Sequence, residues 1–203
     1  MLLSKEEFEK SINFKLAKKN ILITFHPATL ENSSIREQFD ELLNALDELD
    51  DTNFIFTKAN SDTDGDVINK MIDEYVSENS QKAVAFASLG QLRYLSAIKF
   101  VDIILGNSSS GLLEVPSFKK ATINIGDRQK GRTRASSVID VRPAKEEILA
   151  AIKRAYSKEF EQTLKDTINP YDGGNPSKKM VKILKETKLD GILKKKFYDI
   201  GIK

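Results

Sequence analysis

The chain has 203 residues, 40% of them hydrophobic, which is enough for one domain with a full apolar core. The absence of cysteine excludes disulfides and thiolate metal sites. The 32 Lys and Arg residues nearly balance the 30 Asp and Glu residues, so no overall field favours nucleic acid as a partner.

Segments of strand and helix character alternate after a polar helical opening, predicted from Ser4 to about Lys19. The strands are short and rich in Ile, Val and Phe, and the helices carry apolar residues at three- and four-residue spacing. The predicted strands are ILITFH (21–26), NFIFT (53–57), KAVAFAS (82–88), VDIILG (101–106), ATINIG (121–126) and SVIDV (137–141). Helices are predicted near 33–50, 63–78, 90–99, 110–118 and 143–156. Strands with little polar alternation, separated by helices, indicate a parallel sheet covered on both faces, a Rossmann-like α/β domain.

The pattern changes after about Tyr156 to charged helices without further strands. One helix is predicted near 157–166 and a second over Ser177–Glu186, after the turn NPYDGGNPS, and the tail DGILKKKFYDI follows. We therefore expect an N-terminal helix (1–19), a Rossmann-like domain (20–156) and a C-terminal helical segment with its tail (157–203).

The cellular location is expected to be the cytoplasm, without a membrane partner. No stretch approaches the roughly 18 apolar residues that a membrane span needs. The N-terminus MLLSKEEFEK is acidic and polar, where a signal peptide would be basic and then apolar. Two N-x-S sequons, at Asn32 and Asn107, are then chance matches, because glycosylation needs a secretory route.

The stretch GNSSSG (106–111) lies between a predicted strand and a predicted helix. In an open α/β sheet, ligands bind outside the carboxyl ends of the strands, which is where this stretch falls. Backbone N–H groups and the hydroxyls of Ser108 to Ser110 would suit an anionic phosphate. A helix N-cap with glycine-assisted turns accounts for the same residues.

Charged residues follow this stretch in two places. Glu114 lies in the short helix ended by Val115-Pro116, where its carboxylate could accept hydrogen bonds from the hydroxyls of a ribose. The loop GDRQKGRTR (126–134) carries Arg128 and three further cations, which suit a diphosphate clamp. An exposed Glu and a solvated loop are the simpler alternatives.

The only histidine, His26, ends the first predicted strand before Pro27. Its place at the carboxyl edge makes it a candidate general acid, general base or phosphate partner. One histidine without cysteine cannot build the usual zinc site, so no metal is expected. No GxGxxG or GxxxxGK[ST] motif occurs, so neither a dinucleotide cofactor nor a P-loop is expected.

The segments ILITFHPATLE, FTKANSD and LGNSSSGLLEVPSFKKATINIGDRQKGR resemble the carboxyl-terminal half of the UDP-N-acetylglucosamine 2-epimerase family. The match is to the hydrolysing, UDP-releasing type used in sialic acid biosynthesis. This resemblance implies one half of a two-domain enzyme of the glycosyltransferase-B arrangement, with UDP and a UDP-sugar as partners. The intact enzyme is expected to be a homo-oligomer.

The resemblance also implies a role for each matching residue. Ser108 and Ser109 would hold the diphosphate, Arg128 would contact the phosphates, and Glu114 would bind the ribose hydroxyls. Asn60 and the loop 87–89 match less distinctive positions near the uridine. His26 matches a histidine that lines the active site.

The amino-terminal domain of the family, which carries acidic residues that act on the sugar, has no counterpart in this sequence. The chain alone is therefore expected to be an inactive fragment of an enzyme that releases UDP and forms N-acetylmannosamine. Two alternatives stay open: a non-hydrolysing 2-epimerase that gives UDP-ManNAc, and a stand-alone module that binds nucleotide sugars.

Overall fold

A computed structural model gives the fold and describes residues 1–27, 34–60 and 64–194. The sequon at Asn32 and the last part of the predicted tail (195–203) lie outside these residues. The chain divides into two compact units, Met1–Tyr171 and Asp172–Lys203. Among the described residues, no helix is long and apolar enough to cross a bilayer.

The first unit is built on one six-stranded parallel sheet, which confirms the predicted Rossmann-like α/β fold. The strands lie in the order β3-β2-β1-β4-β5-β6. They are β1 (Lys19–Thr24), β2 (Thr52–Thr57), β3 (Ala83–Phe86), β4 (Ile103–Gly106), β5 (Ala121–Ile125) and β6 (Val138–Val141). The central strands are buried on both faces, which is why their sequences are almost continuously apolar.

Helices cover both faces of this sheet. Those of the first unit are α1 (Lys5–Ile12), α2 (Ile35–Asp47), α3 (Gly65–Glu78), α4 (Gly90–Phe100), α5 (Ser110–Leu113), α6 (Lys145–Ala155) and α7 (Lys158–Asp166). One apolar cluster joins α2, α3, α6 and α7 to one face, with Phe39 and Phe54 at its centre. A second cluster joins α1 and α4 to the other face through Phe8 and Ile98.

The N-terminal helix is shorter than the sequence predicted, because α1 ends at Ile12 and not near Lys19. Its start is as expected, with Ser4 and Glu7 forming a capping box. Asn13 then adopts the left-handed conformation, which asparagine tolerates better than most residues and which ends the helix. The Glu9 carboxylate accepts hydrogen bonds from the N–H of Leu16 (3.0 Å) and the Lys15 ammonium (2.9 Å), which fixes the turn into β1.

The helix predicted over 110–118 is divided into two short pieces. The α-helical part, α5, ends at Leu113, and a 3₁₀ helix follows over Val115–Phe118. Pro116 explains the break, because its ring and missing N–H are incompatible with the interior of an α-helix. Glu114 therefore lies at the junction of the two pieces.

The second unit contains one helix among its described residues, α8 (Pro176–Glu186). It matches the helix predicted over Ser177–Glu186 and begins with proline, whose missing N–H costs nothing in the first turn.

Candidate functional site

The strand order places a crevice between the carboxyl ends of β1 and β4. These two strands are paired neighbours, yet the helices that follow them lie on opposite faces of the sheet, α2 on one and the α5 segment on the other. The two exits therefore diverge and leave a crevice where open α/β sheets bind ligands. His26 follows β1 and Ser108 follows β4, so both lie at this point.

Backbone contact between the two strands is unusually close at their ends. Gly106 pairs with Thr24 and has a φ of 133°, a conformation that favours glycine. A Cβ atom at Gly106 would lie 2.0 Å from the carbonyl oxygen of Thr24. A glycine is thus required for β4 to end against β1.

Asn107 joins three loops at the crevice and is almost fully buried, with 2% of its surface exposed. Its side-chain Oδ1 accepts a hydrogen bond from the His26 N–H, and its Nδ2 donates to the His26 carbonyl, both at 2.8 Å. Its backbone carbonyl accepts from the Arg128 guanidinium (3.1 Å) and from the Gln129 side-chain amide (2.8 Å). The segments after β1, β4 and β5 are therefore held together by one residue.

The serine segment forms a tight turn directly after Asn107. The N–H groups of Ser110 and Gly111 bond back to the hydroxyl and the carbonyl of Ser108, at 3.4 and 3.2 Å. Within the described ranges, the N–H groups of Ser108 and Ser109 have no hydrogen-bond acceptor. All three serines are half-buried, so this turn presents two N–H donors and several hydroxyls at the crevice.

The turn lies close to β5 because of Gly111. A Cβ atom at Gly111 would lie 2.6 Å from the Thr122 methyl carbon. The Thr122 hydroxyl donates to the Gly111 carbonyl at 2.8 Å, which joins the short helix α5 to the sheet.

The four cationic side chains of the loop 126–134 differ in their ion-pair partners. The Lys130 ammonium pairs with Asp127 at 2.9 Å, and the Arg134 guanidinium pairs with Asp140 at 2.6 Å. Arg128 instead contacts the residue that precedes the serine turn, through its bond to the Asn107 carbonyl. Of the predicted cations, Arg128 is thus the one that the structure brings to the crevice by a direct bond among the described residues.

Glu114 is exposed at the end of α5, with the Tyr94 side chain nearby. The pKa of Tyr94 is raised, mainly because its hydroxyl is buried. The Ser110 hydroxyl opposes this rise, and the negative charge of Glu114 adds to it. Tyr94 was not predicted, because a tyrosine inside a helical pattern has no sequence signal of its own.

Asn60 and the loop 87–89 lie at the same edge of the sheet, after β2 and β3. Asn60 is exposed, and its neighbour Ala59 is held by the Asn69 side chain, which bonds to both the N–H (2.8 Å) and the carbonyl (3.2 Å) of Ala59. Leu89 is buried in the apolar cluster, whereas Ala87 and Ser88 are exposed. No hydrogen bond of the described residues joins these two segments to the serine turn.

The segment after α7 braces the loops of the crevice from outside. The Asn169 side-chain amide donates to the Leu113 carbonyl (2.9 Å) and to the Ser117 hydroxyl (2.7 Å). The Tyr171 hydroxyl donates to the Thr133 carbonyl at 3.0 Å. These contacts fix the two ends of the region that contains Glu114 and Arg128.

The sequence profile described as UDP-N-acetylglucosamine 2-epimerase matches residues 1–185. The chain belongs to this family. A GDP/UDP-N,N'-diacetylbacillosamine 2-epimerase (hydrolyzing) of Campylobacter jejuni is 45% identical over 98% of this chain and 51% of its own length. The polysialic acid biosynthesis protein P7 of Escherichia coli is 40% identical over 97% of this chain and 50% of its own length.

Among solved structures, a Staphylococcus aureus MnaA co-structure with UDP aligns with a TM-score of 0.66 at 18% identity. The alignment covers 98% of this chain and 52% of that one. At this identity the likeness shows the shared fold. The chain thus spans about half the length of the relatives that it matches.

The structure places the predicted site residues at one edge of the sheet. Asn107, Gln129 and Asn169 were missed as contributors to this edge. Asn107 belongs to the predicted GNSSSG stretch, but its partners His26 and Arg128 are 81 and 21 positions away in the sequence. No local pattern indicates contacts of that range.

Proposed function

We propose that this chain is the UDP-binding half of a hydrolysing UDP-sugar 2-epimerase. The observation that carries the proposal is the convergence of His26, the serine turn and Arg128 at the crevice between β1 and β4, joined through Asn107. The MnaA relative of the same fold is described in a co-structure with UDP. A crevice of this topology is where a nucleotide is expected to bind.

The diphosphate of UDP would bind at the serine turn. The N–H groups of Ser108 and Ser109 and their hydroxyls supply donors, and Arg128 supplies the positive charge. Arg128 donates to the Asn107 carbonyl through one nitrogen, and a guanidinium keeps further donors in a fixed plane for phosphate oxygens. The N-cap residue of α5, Ser109, makes no side-chain cap hydrogen bond, which supports the anion-binding hypothesis over a helix cap.

The nucleoside would extend from the diphosphate along the carboxyl edge. The exposed carboxylate of Glu114 is a suitable acceptor for two ribose hydroxyls. Asn60 and the exposed residues Ala87 and Ser88 would lie on the uridine side of the crevice. These assignments rest on the family resemblance together with the shared sheet edge.

In the intact enzyme, Arg128 and the serine turn would stabilise the charge that develops on the departing UDP. The resemblance to the hydrolysing type implies that the reaction would eliminate UDP from UDP-GlcNAc to give a 2-acetamidoglucal and then add water to it. His26, 9% exposed at the end of β1, is the candidate acid or base of this chain. Acidic groups that act on the sugar would come from the other half of the enzyme.

The hydrolysing outcome is supported by the Campylobacter relative, whose description includes that word. The same relative points to a diacetylated sugar as an alternative to UDP-GlcNAc, and the polysialic acid protein supports a link to sialic acid biosynthesis. Both substrates would use the same nucleotide contacts.

The test is incubation of the intact enzyme with UDP-GlcNAc and, separately, with UDP-N,N'-diacetylbacillosamine. The proposal predicts free UDP and a free 2-epimerised sugar from one of them. Formation of UDP-ManNAc without release of UDP would instead establish the non-hydrolysing reaction. Absence of any change in either sugar, with UDP still bound, would favour a nucleotide-sugar binding module.

A further inference from the structure

Among the described residues, three asparagine side chains clamp the backbone of one other residue in the same way. In each, Oδ1 accepts from the N–H and Nδ2 donates to the carbonyl of one residue. Asn20 holds Ala17 (2.9 and 3.0 Å), Asn69 holds Ala59, and Asn107 holds His26. An amide is suited to this task because it presents a donor and an acceptor side by side.

The clamp at Asn107 differs from the other two in the side-chain donors that bind its own backbone carbonyl. Its carbonyl accepts hydrogen bonds from both Arg128 and Gln129. The Gln129 side chain is itself buried, with 2% exposed, so its amide cannot exchange this bond for water without moving the loop. A displacement of Asn107 would therefore move His26 and Arg128 together.

We propose that Asn107 is a positioning residue that couples the candidate acid or base, His26, to the anion-binding group, Arg128. The identity of the anion as the UDP diphosphate rests on the proposed function above. The coupling itself rests on the two side-chain bonds of Asn107 to His26 and on the two bonds that its carbonyl accepts, while its N–H donates to the Thr24 carbonyl (3.1 Å) at the end of β1. Anion binding at Arg128 fixes the position of the Asn107 carbonyl, and the two side-chain bonds of Asn107 transmit this restraint to the backbone of His26.

The first test needs no ligand and uses hydrogen exchange in the free chain. The His26 amide reports the clamp, because it donates to Asn107 Oδ1. Gln129→Leu removes a bond to the Asn107 carbonyl and leaves the side chains of Asn107 and His26 unchanged. The coupling predicts that this variant exchanges the His26 amide hydrogen at least fivefold faster than wild type. The Ala17 amide, held by the matched clamp of Asn20 at the opposite edge of the sheet, should not change. Unchanged His26 exchange would overturn the proposal.

The second test follows the imidazole of His26, the only histidine of the chain, by NMR with and without UDP. Bound diphosphate should raise the pH midpoint of His26 titration, since a nearby anion favours the imidazolium. Asn107→Ala keeps the backbone carbonyl and the bonds that it accepts, so the variant loses no charge-assisted contact to UDP. Its UDP affinity should therefore fall by less than the roughly tenfold that the loss of one such contact would cause. In Asn107→Ala, at least half of the UDP-induced shift in the His26 midpoint should be lost.

Asn20→Ala is the matched control, because it removes the same pair of hydrogen bonds from an equally buried asparagine. The Asn20→Ala variant should be destabilised as much as Asn107→Ala and should retain the full UDP-induced shift of the His26 midpoint. Loss of the shift in both variants would show general loosening and refute the specific role of Asn107. If Asn107→Ala does not fold, the exchange measurement on Gln129→Leu, which leaves the Asn107 side chain in place, decides the coupling.

The two proposals fail in different ways. If UDP does not bind the wild-type chain, the proposed function is wrong, while the hydrogen-exchange result still decides the coupling. If UDP binds and the His26 midpoint moves equally in wild type and Asn107→Ala, the coupling is wrong and the proposed function stands. In the intact enzyme, the coupling predicts a lower kcat for Asn107→Ala with KM nearly unchanged.

Discussion

The replacement Gly111→Ala should destabilise the chain by a defined steric conflict that a second substitution removes. The added methyl would lie 2.6 Å from the Thr122 methyl carbon, whereas ordinary contacts begin at 3.4 Å, so the two groups must separate by about 3.4 − 2.6 = 0.8 Å. Overpacking of this kind costs about 1–3 kcal/mol. The next nearest atoms, the Thr122 hydroxyl oxygen and Cβ, lie at 3.5 and 3.7 Å and do not conflict.

Thr122→Ser removes the conflicting methyl and keeps the hydroxyl that donates to the Gly111 carbonyl. Alone it should cost about 1 kcal/mol for one lost buried methyl. The double variant should cost little more than Thr122→Ser alone, so the two changes should show a favourable coupling of about 1–3 kcal/mol, within the range for contacting residues. Urea denaturation of the four proteins, followed by circular dichroism, measures this cycle.

The same cycle tests the link to function, because α5 positions the serine turn. UDP affinity should fall in Gly111→Ala and return in the double variant. Strictly additive free energies of unfolding, or a Gly111→Ala chain as stable as wild type, would refute the packing argument for Gly111.

Three further predictions follow from the described contacts. His26→Ala in the intact enzyme should lower turnover by roughly 10²-fold or more with the fold intact; a lower melting temperature with nearly unchanged turnover of the folded fraction would make His26 structural. The chain alone should release no UDP from UDP-GlcNAc above a buffer blank, and steady release would place the catalytic groups in this half. Burial raises the pKa of Tyr75, Tyr94 and Tyr156 above their usual value of about 10, so these should ionise late in an alkaline titration. Above about pH 10 the folded form then holds protons that the unfolded form releases, so the free energy of unfolding should fall as the pH rises above this value. Ionisation of all five tyrosines of the folded chain near this pH would contradict this.

Most of the fold could be predicted because its signals are local. Runs such as ILITFH and ATINIG combine β-branched residues with continuous apolarity, and each is a strand of the parallel sheet. The errors also have local causes, since Asn13 ends α1 by adopting a left-handed conformation and Pro116 divides the helix after the serine turn. The sequence did not indicate the strand order that makes β1 and β4 neighbours.

The candidate site could be predicted as a set of residues but not as an arrangement. Polar residues that follow parallel strands share one edge, and this rule suffices to bring His26, Ser108 and Arg128 to the same side of the sheet. The pairing of Lys130 with Asp127 and of Arg134 with Asp140 depends on loop geometry, as do the bonds of Asn107 to three loops. Such contacts have no periodicity or spacing in the sequence.

The most direct test of the central claim is calorimetric titration of the wild-type chain with UDP and with uridine. The account predicts that UDP binds more tightly than uridine, and that Arg128→Ala weakens UDP by ~1.5–3 kcal/mol while affecting uridine little. Arg154→Ala serves as a control, because the exposed Arg154 lies in the last turn of α6 and packs over Phe160. Equal affinity for UDP and uridine in the wild-type chain would contradict the claim that this crevice binds the diphosphate.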